Sequence, residues 1–500
     1  MTKIRVTYSG LISFGVGMIG VITGMIFILI VTRQLTKEEL GIWTLIGGLI
    51  SYFVITEATI SYWITREVAR GLESGKTAIV VSGVFSAGSS VIYLVVAFIV
   101  AQQSRVDEHL LFFAVLLIPV MFLNRTIGAI NAGWKPQVVS YGSLVFESLK
   151  IPAGLILVYI LHLGVFGAIL VTFVAYLASI IIQFYYVRTK IRNKIKVQYL
   201  KKWIKLSWLT YYPQIANLIT KFDVLVYAMI VGSVTGLAYY TAAVTVSSVV
   251  GQSASISRGL YVKLLEEDKR EYLQENLTRV LYFIIPITAL SVVFAHPALF
   301  VLNPLYEGAT IITIFMTIRM FFSTLGSVFY PALIGIEKVD LDENATFRDY
   351  LKSKLFFLPS LSILQSIIYL ALLTTGLLIM SADKSTDLNF VMYWAIITLG
   401  IEIPFTAYLF ILVRRNFVFQ INYNAISKYL GTSIAVFGVA YILSQRLLVF
   451  EKSIFQFLPN LLIFVFAGVI AYLAITYLID KKTRNLFNSI INEIRGQKNY

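Results

Sequence analysis

Long apolar runs, broken by short polar turns, set the pattern of this chain. Runs of spanning length fall near 11–31, 40–62, 77–101, 110–132, 139–161 and 164–186. After a polar stretch they resume near 207–232, 237–256, 279–302, 308–334, 355–380 and 390–413, and two more follow at 428–445 and 458–479. Each approaches the roughly 20 residues that a helix needs to cross the hydrocarbon. Water is absent there, so each run must satisfy its own backbone and is expected to be a helix. The pattern predicts an all-α integral membrane protein of about fourteen spans. The run at 237–256, rich in Ser, Thr and Ala, and that at 428–445 are the weakest. Lys3 and Arg5 precede the first run and no small-residue cleavage site follows it, so it is expected to be a retained helix.

Composition agrees with this pattern and removes alternatives. Of 500 residues 58% are hydrophobic and 13% charged, and mean hydropathy is +0.81. There is no cysteine, which excludes disulfides, thiolate metal sites and thiol catalysis. The histidines His109, His162 and His296 are scattered and form no metal motif. The net charge of +15 reads as loop charge holding segments on the cytoplasmic side, not as a nucleic-acid surface. Alternating the loops from a cytoplasmic N terminus leaves only Arg33, Lys37, Arg105, Lys384, Arg446 and Lys452 outside, with Lys150, Lys221 and Arg319 inside spans. That bias predicts both termini in the cytoplasm and the chain in the cytoplasmic membrane.

The loops are too short for an inserted domain. The basic loop 188–205 interleaves eight Lys and Arg with Tyr199 and Trp203, which suits anionic headgroups or the gathering of an anionic lipid-linked substrate. The tail 483–495 spaces Leu486, Phe487, Ile490, Ile491 and Ile494 as a surface helix would. A weak repeat relates Leu40-Gly41-Ile42-Trp43-Thr44 to Leu237-Ala238-Tyr239-Tyr240-Thr241, and Ile64-Thr65-Arg66 to Ile256-Ser257-Arg258. It divides the chain into bundles at 1–187 and 207–415, a basic loop at 188–206, two added spans at 416–480 and a tail at 481–500. Helix breakers fall in matching spans, with Gly15, Gly17, Gly20 and Gly24 in the first and Pro213 in the seventh, as in moving, substrate-lining elements or in close helix packing.

Ionisable groups at membrane depth are costly and mark cavities or partners. Here they are Glu57, Arg125, Glu147, Lys150, Lys221, Asp223, Arg319 and Glu402. Glu147 and Lys150, three apart, can pair on one helix face. Lys221 and Asp223, two apart, cannot. Lys221, Asp223 and Arg319 are the leading candidates for a polar pathway, with Arg125 and Lys150 behind them; inter-helix salt bridges that only fix packing are the competing account. Glu57, Asp223 and Glu402 are candidates for ion coupling. The segment Gly71-Leu72-Glu73-Ser74-Gly75-Lys76-Thr77 has one residue too few between its glycines for a phosphate loop. Asp340, Asp342 and Asn344 are followed by Ala345 where a calcium loop needs Gly. With no catalytic or cofactor motif, the chain is expected to be no enzyme and to use no cofactor.

The segment Arg33-Gln34-Leu35-Thr36-Lys37-Glu38-Glu39-Leu40-Gly41-Ile42-Trp43, the segment Thr65-Arg66-Glu67-Val68-Ala69-Arg70, and Asp223 followed by Gly232 and Ala238-Tyr239-Tyr240 resemble polysaccharide flippases of the multidrug/oligosaccharidyl-lipid/polysaccharide (MOP) superfamily. Glu57 stands where those proteins often carry Asp, and Ala238 where they often carry Gly. The resemblance implies two six-helix bundles around a central cationic cavity plus two extra helices. It implies a lipid-linked oligosaccharide as substrate, carried by alternating access for cell-surface glycan synthesis. Lys221 and Arg319 fit the cationic lining it implies. Glycosyltransferases or a polymerase of the glycan pathway are expected partners, and the protein is expected to act as a monomer. A cation-coupled multidrug or metabolite antiporter of the same superfamily is the rival, resting on Glu57, Asp223 and Glu402.

Overall fold

The computed structural model describes residues 20, 23–104, 106–135, 137–192, 194–205, 211–257, 271–337, 347–383, 385–417, 422–451, 453–481 and 483–484. Among these residues the chain is nearly all helical and has no strand. Among the described residues twelve helices are long and apolar enough to span, the first Lys37–Ala69 and the last Ile454–Ile479. Two shorter helices, α1 (Thr23–Gln34) and Thr235–Gly251, occupy the first and eighth predicted runs. Together they give the fourteen segments expected. Gly15 and Gly17, the calcium-like segment 340–344 and the amphipathic tail lie outside the described residues.

The helices gather into two compact units. One holds Met1–Thr241 with Pro359–Val391, the other Ala242–Leu358 with Met392–Tyr500.

In the first unit the second span is two helices, α2 (Lys37–Val54) and α3 (Ala58–Ala69), joined by a 3₁₀ turn over Ile55–Glu57. The start of α2 is a capping box. The Glu39 amide donates to Thr36 Oγ1 at 3.1 Å, and the Thr36 amide donates to Glu39 Oε2 at 2.9 Å. Gly41 follows because the backbone of the 232–236 turn lies against it: a Cβ there would sit 2.0 Å from the Val234 carbonyl oxygen. Gly232 closes the preceding helix in the left-handed region, φ +65°, where a Cβ is unfavourable. The 3₁₀ turn changes the hydrogen-bonding step in mid-span, and carbonyls in it and just before it find other donors. Thr56 Oγ1 donates to Phe53 O at 3.0 Å, and Tyr211 Oη donates to Thr56 O at 2.9 Å.

The remaining spans of this unit include α4 (Gly75–Ser104), α5 (Glu108–Phe113) running through a 3₁₀ turn into α6 (Leu117–Trp134), α7 (Gln137–Gly154) and α8 (Gly164–Val187). The basic loop forms a short helix, α9 (Val197–Lys205). It is clamped to the bundle: Trp203 is buried and its Nε1 donates to Glu67 Oε1 at 3.2 Å, while the Lys196 amide donates to Thr77 Oγ1 at 3.0 Å. The seventh span breaks twice. Pro213 lies in a 3₁₀ turn, and Lys221 separates α10 (Ile215–Thr220) from α11 (Phe222–Val231).

In the second unit the two last spans, α12 (Tyr423–Leu447) and α13 (Ile454–Ile479), pack on α14 (Glu271–Val293). The seam is aromatic. Tyr282 meets Tyr429 and Tyr472 with ring centroids 5.1 and 5.7 Å apart. Their hydroxyls are satisfied inside the seam, as buried polar groups require: Tyr472 Oη donates to Tyr282 O at 3.0 Å, and Tyr429 Oη donates to Asp480 Oδ2 at 3.0 Å. Burial works to raise the Asp480 carboxyl. The amide and hydroxyl of Thr483, the Tyr429 hydroxyl and the nearby Lys428 outweigh it and hold the carboxyl below its ordinary value. A carboxyl lowered by folding stabilises the fold above its unfolded value, about 3.9. That contribution disappears as pH falls through the folded value. Asp480→Asn is therefore expected to loosen the end of the last span at neutral pH, seen as faster protease cleavage just after position 480; acidification is expected to add little further loosening in the variant.

Candidate functional site

Four spans of the first unit line a cavity of about 810 Å³. Its walls are single stripes at helical spacing. From α3 and its preceding turn come Glu57, Ser61, Thr65 and Arg66; from α6, Asn124, Arg125 and Gly128; from α7, Ser143 and Glu147; from α8, Tyr176, Ser179 and Gln183. Glycine and alanine alternate with the polar groups and leave the volume open. Two guanidiniums face this space. Arg125 is exposed and makes one long hydrogen bond, Nη1 to Val54 O at 3.5 Å. Arg66 is exposed and lies over the Tyr62 ring at 4.5 Å. Neither makes an ion pair with a described residue.

Glu57 stands at the 3₁₀ turn of the second span and is 1% exposed. Ser61 Oγ donates to its Oε1 at 2.6 Å. Thr126 Oγ1 lies 3.0 Å from the same oxygen and 2.9 Å from Ser82 Oγ. A hydroxyl has one proton, so when Thr126 donates to Glu57 it accepts from Ser82. The result is a relay of hydroxyls from the third and fourth spans onto one buried carboxyl.

A second polar cluster braces the cavity floor. Ser179 Oγ and Gln183 Nε2 both donate to Asn124 Oδ1, at 2.9 and 3.0 Å, and Asn131 Nδ2 donates to Gln183 O at 3.1 Å. Gly142 makes room for it: a Cβ there would lie 2.6 Å from Gln183 Nε2. Gly142→Ala should push the Gln183 amide off Asn124 and lower the thermal midpoint in detergent, since overpacking of this kind costs ~1–3 kcal/mol. An unchanged midpoint in that variant would show that the amide cluster has no part in shaping the cavity.

The other sequence candidates fall elsewhere. Lys150 pairs with Glu147 at 3.1 Å and sits over the rings of Phe27 and Phe146; Thr23 Oγ1 also donates to Glu147 Oε2 at 3.2 Å. Lys150 is thus a braced member of an (i, i+3) pair. Asp223 is buried, with Tyr369 Oη donating to Oδ2 at 2.8 Å and the Val224 amide to Oδ1 at 2.7 Å. Lys221 is exposed and lines a separate, smaller cavity.

Arg319 and Glu402 lie in the second unit, on α15 (Thr310–Gly335) and α16 (Asp387–Asn416). These helices touch through Met316 with Thr398 and through the Phe322 carbonyl with Thr406. Arg319 and Glu402 fall between those two contacts, level with one another on neighbouring helices. Opposite charges at one level at membrane depth are mutually stabilising. Neutralising both, in Arg319→Met with Glu402→Gln, is expected to lower thermal stability less than the two single changes added together. Additive losses would separate the two groups.

Sequence reasoning named Glu57 and Arg125 but not Arg66, Asn124, Ser179 or Gln183. A signal was present. Glu57, Ser61 and Thr65 recur every fourth residue, as do Ser143 and Glu147, and Ser179 and Gln183. Each is a polar stripe along an otherwise apolar helix.

The fold is similar to that of several solved polytopic helical membrane proteins. Aligned on solved structures, the chain matches a lipid II flippase MurJ in an inward closed conformation with a TM-score of 0.64 and 15% identity, covering 96% of this chain and 100% of that one. It matches an inward-facing multidrug resistance MATE transporter of the MOP superfamily with a TM-score of 0.60 and 13% identity, over 81% and 98% of the two chains. A MATE in complex with MaD3S gives 0.51 at 14% identity, over 82% and 95%. No sequence model of a protein family matches the chain, and no curated protein sequence matches it.

Proposed function

We propose that this protein is a membrane transporter that flips a lipid-linked oligosaccharide, or a polysaccharide repeat unit on a lipid phosphate, across the cytoplasmic membrane. The observation that carries the reading is the pair Arg66 and Arg125, which line one cavity without ion pairing to a described residue. Guanidiniums suit phosphate because their fork of donors matches its oxygens. The carboxamides and hydroxyls of Asn124, Ser143, Ser179 and Gln183 suit sugar hydroxyls. A sugar-phosphate head loses its water in apolar lipid with nothing in return; this cavity returns hydrogen bonds while the lipid tail stays in the bilayer. The likeness to a lipid II flippase over nearly the whole of both chains supports the same reading.

The sites of Lys and Arg support termini in the cytoplasm, and the basic α9 segment supports contact with anionic lipids. Enzymes that build or polymerise the glycan are the partners this reading implies.

Glu57 favours a second reading, a cation-coupled antiporter, because a buried carboxyl fed by hydroxyls can take up and release a cation. The test is reconstitution in vesicles with a fluorescent lipid-linked oligosaccharide in the inner leaflet. Protein-dependent exposure of the label in the outer leaflet is the expected result. Cation-driven export of lipophilic dyes, with no lipid movement, would establish the antiporter instead.

A further inference from the structure

The carboxamide cluster on the cavity floor has two loose ends. The first is on Gln183, which is 3% exposed and threaded between two glycines. A Cβ at Gly142 of α7 would lie 2.6 Å from its Nε2, and a Cβ at Gly128 of α6 would lie 3.3 Å from its Oε1. The Nε2 donates twice, to Asn124 Oδ1 at 3.0 Å and to Ser179 Oγ at 3.1 Å. Those bonds fix the turn of the amide and aim Oε1 towards Gly128, which lines the cavity. Oε1 is buried and accepts no hydrogen bond from a described residue. The second loose end is on Asn124. Its Oδ1 accepts from both Ser179 and Gln183, while its Nδ2 donates to no described residue.

A buried acceptor without a donor is costly and calls for an explanation. Packing alone would be served by an apolar side chain of the same shape, which strands no acceptor. A ligand that brings the donor explains the oxygen.

The chemistry of both ends narrows the ligand. Gln183 Oε1 and Asn124 Nδ2 stand at opposite ends of a head-to-tail amide chain, joined by the bond from Gln183 Nε2 to Asn124 Oδ1. One end needs a donor and the other an acceptor. A secondary amide answers both, because its N–H and C=O lie on opposite edges, and amides bonded in series polarise one another. A sugar carries such a group as an acetamide, which also bears a methyl. The cavity has a place for the methyl beside Phe146 and Tyr176, two lining residues whose ring centroids are 4.5 Å apart. Tyr176, Ser179 and Gln183 are spaced three and four apart on α8, and Gly142 and Phe146 four apart on α7, so the rings border the amides along the same stripes.

We infer that Asn124 and Gln183 read an acetamido group, which makes the substrate class a lipid-linked N-acetylated amino sugar. This assignment rests on the flippase reading and gives its sugar head a chemistry. Gln183 itself lines the cavity, and a small turn of its amide past Gly128 presents Oε1 to the ligand N–H. Asn124 precedes Arg125 on α6 and both line the cavity, so the acetamido sugar is the one joined to the phosphate.

The test compares two lipids in vesicles containing the full-length protein: a polyprenyl pyrophosphate carrying N-acetylglucosamine, and the same lipid carrying glucose. The ratio of their initial flipping rates is the readout, because a variant that folds less well lowers both rates together. The parent is expected to favour the acetamido lipid about tenfold, the scale of one hydrogen bond left unmade at a buried group. Gln183→Met, which keeps the length and removes the acceptor, and Gly128→Ala, which sets a methyl against Oε1, are each expected to bring the ratio near one. Equal rates in the parent, or a preference that survives both changes, overturn the assignment and leave the flippase reading standing. Calorimetric titration of the protein in detergent with N-acetylglucosamine 1-phosphate and with glucose 1-phosphate separates the two conclusions. A protein that flips neither lipid, yet prefers the acetamido sugar phosphate and loses that preference in Gln183→Met, keeps the site and refutes the flippase reading. A protein with neither flipping nor a binding preference refutes both.

Discussion

Replacing Arg125 with alanine is expected to cut flipping of a lipid-linked oligosaccharide by about ten- to a hundredfold, and replacing Arg66 together with it to abolish flipping. Each guanidinium offers a charged hydrogen bond to phosphate worth ~1.5–3 kcal/mol, and neither is tied up in an ion pair with a described residue. Arg125→Lys is expected to recover only part of the loss, because an ammonium supplies charge without the planar fork. Arg125 holds the structure through one long bond to the Val54 carbonyl, so thermal stability in detergent should barely move. The decisive measurement is the initial rate of lipid flipping in vesicles containing equal amounts of protein. Unchanged rates in the double variant would remove phosphate recognition from this cavity.

The second large effect is structural. Gly41→Val is expected to prevent the protein from accumulating in a folded, monodisperse form. A Cβ at Gly41 would lie 2.0 Å from the Val234 carbonyl oxygen, and backbone cannot rotate aside as a side chain can. Gly41→Ala already demands that the 232–236 turn move away from α2, and overpacking of this kind costs ~1–3 kcal/mol; valine adds two methyls to the same clash. Size-exclusion profiles and thermal midpoints in detergent measure this directly. By contrast Gly47→Ala, six residues on, meets no atom within 4 Å and should behave as the parent, so the pair separates a packing effect from helix propensity. A Gly41→Val protein with the parent's elution and midpoint would contradict the close approach.

These two predictions draw on the sequence to different degrees. Gly41 was visible as part of the turn that resembles MOP flippases, yet nothing in the sequence said that the Val234 carbonyl pressed on it. Arg125 was visible as an ionisable group in a span. Arg66 was hidden, because at the end of the second span it reads as an ordinary loop cation. Lys150 stood behind the leading candidates for the pathway, and its spacing to Glu147 already predicted the pair that the structure contains. Lys221 and Asp223, two apart, cannot face one another on a regular helix, and their surroundings differ. The lysine opens into an apolar cavity, and the aspartate is turned into hydrogen bonds from Tyr369 and Val224.

Hydropathy and residue type were enough to read the membrane class, the positions of the fourteen helical segments, the helix break in the first unit's seventh span at Pro213, and the pool of charges at membrane depth. They were enough because hydrocarbon imposes a one-dimensional rule: a crossing segment must be long, apolar and hydrogen-bonded within itself. Which charges share a space emerges only once the helices are packed. That depends on the rotation of each helix about its axis and its level against its neighbours, and a single apolar run constrains neither. The polar stripes of the second, fourth, fifth and sixth spans converge on one cavity because glycines such as Gly128 and Gly142 let those faces approach. The level match of Arg319 with Glu402 likewise follows from contacts more than eighty residues apart in sequence.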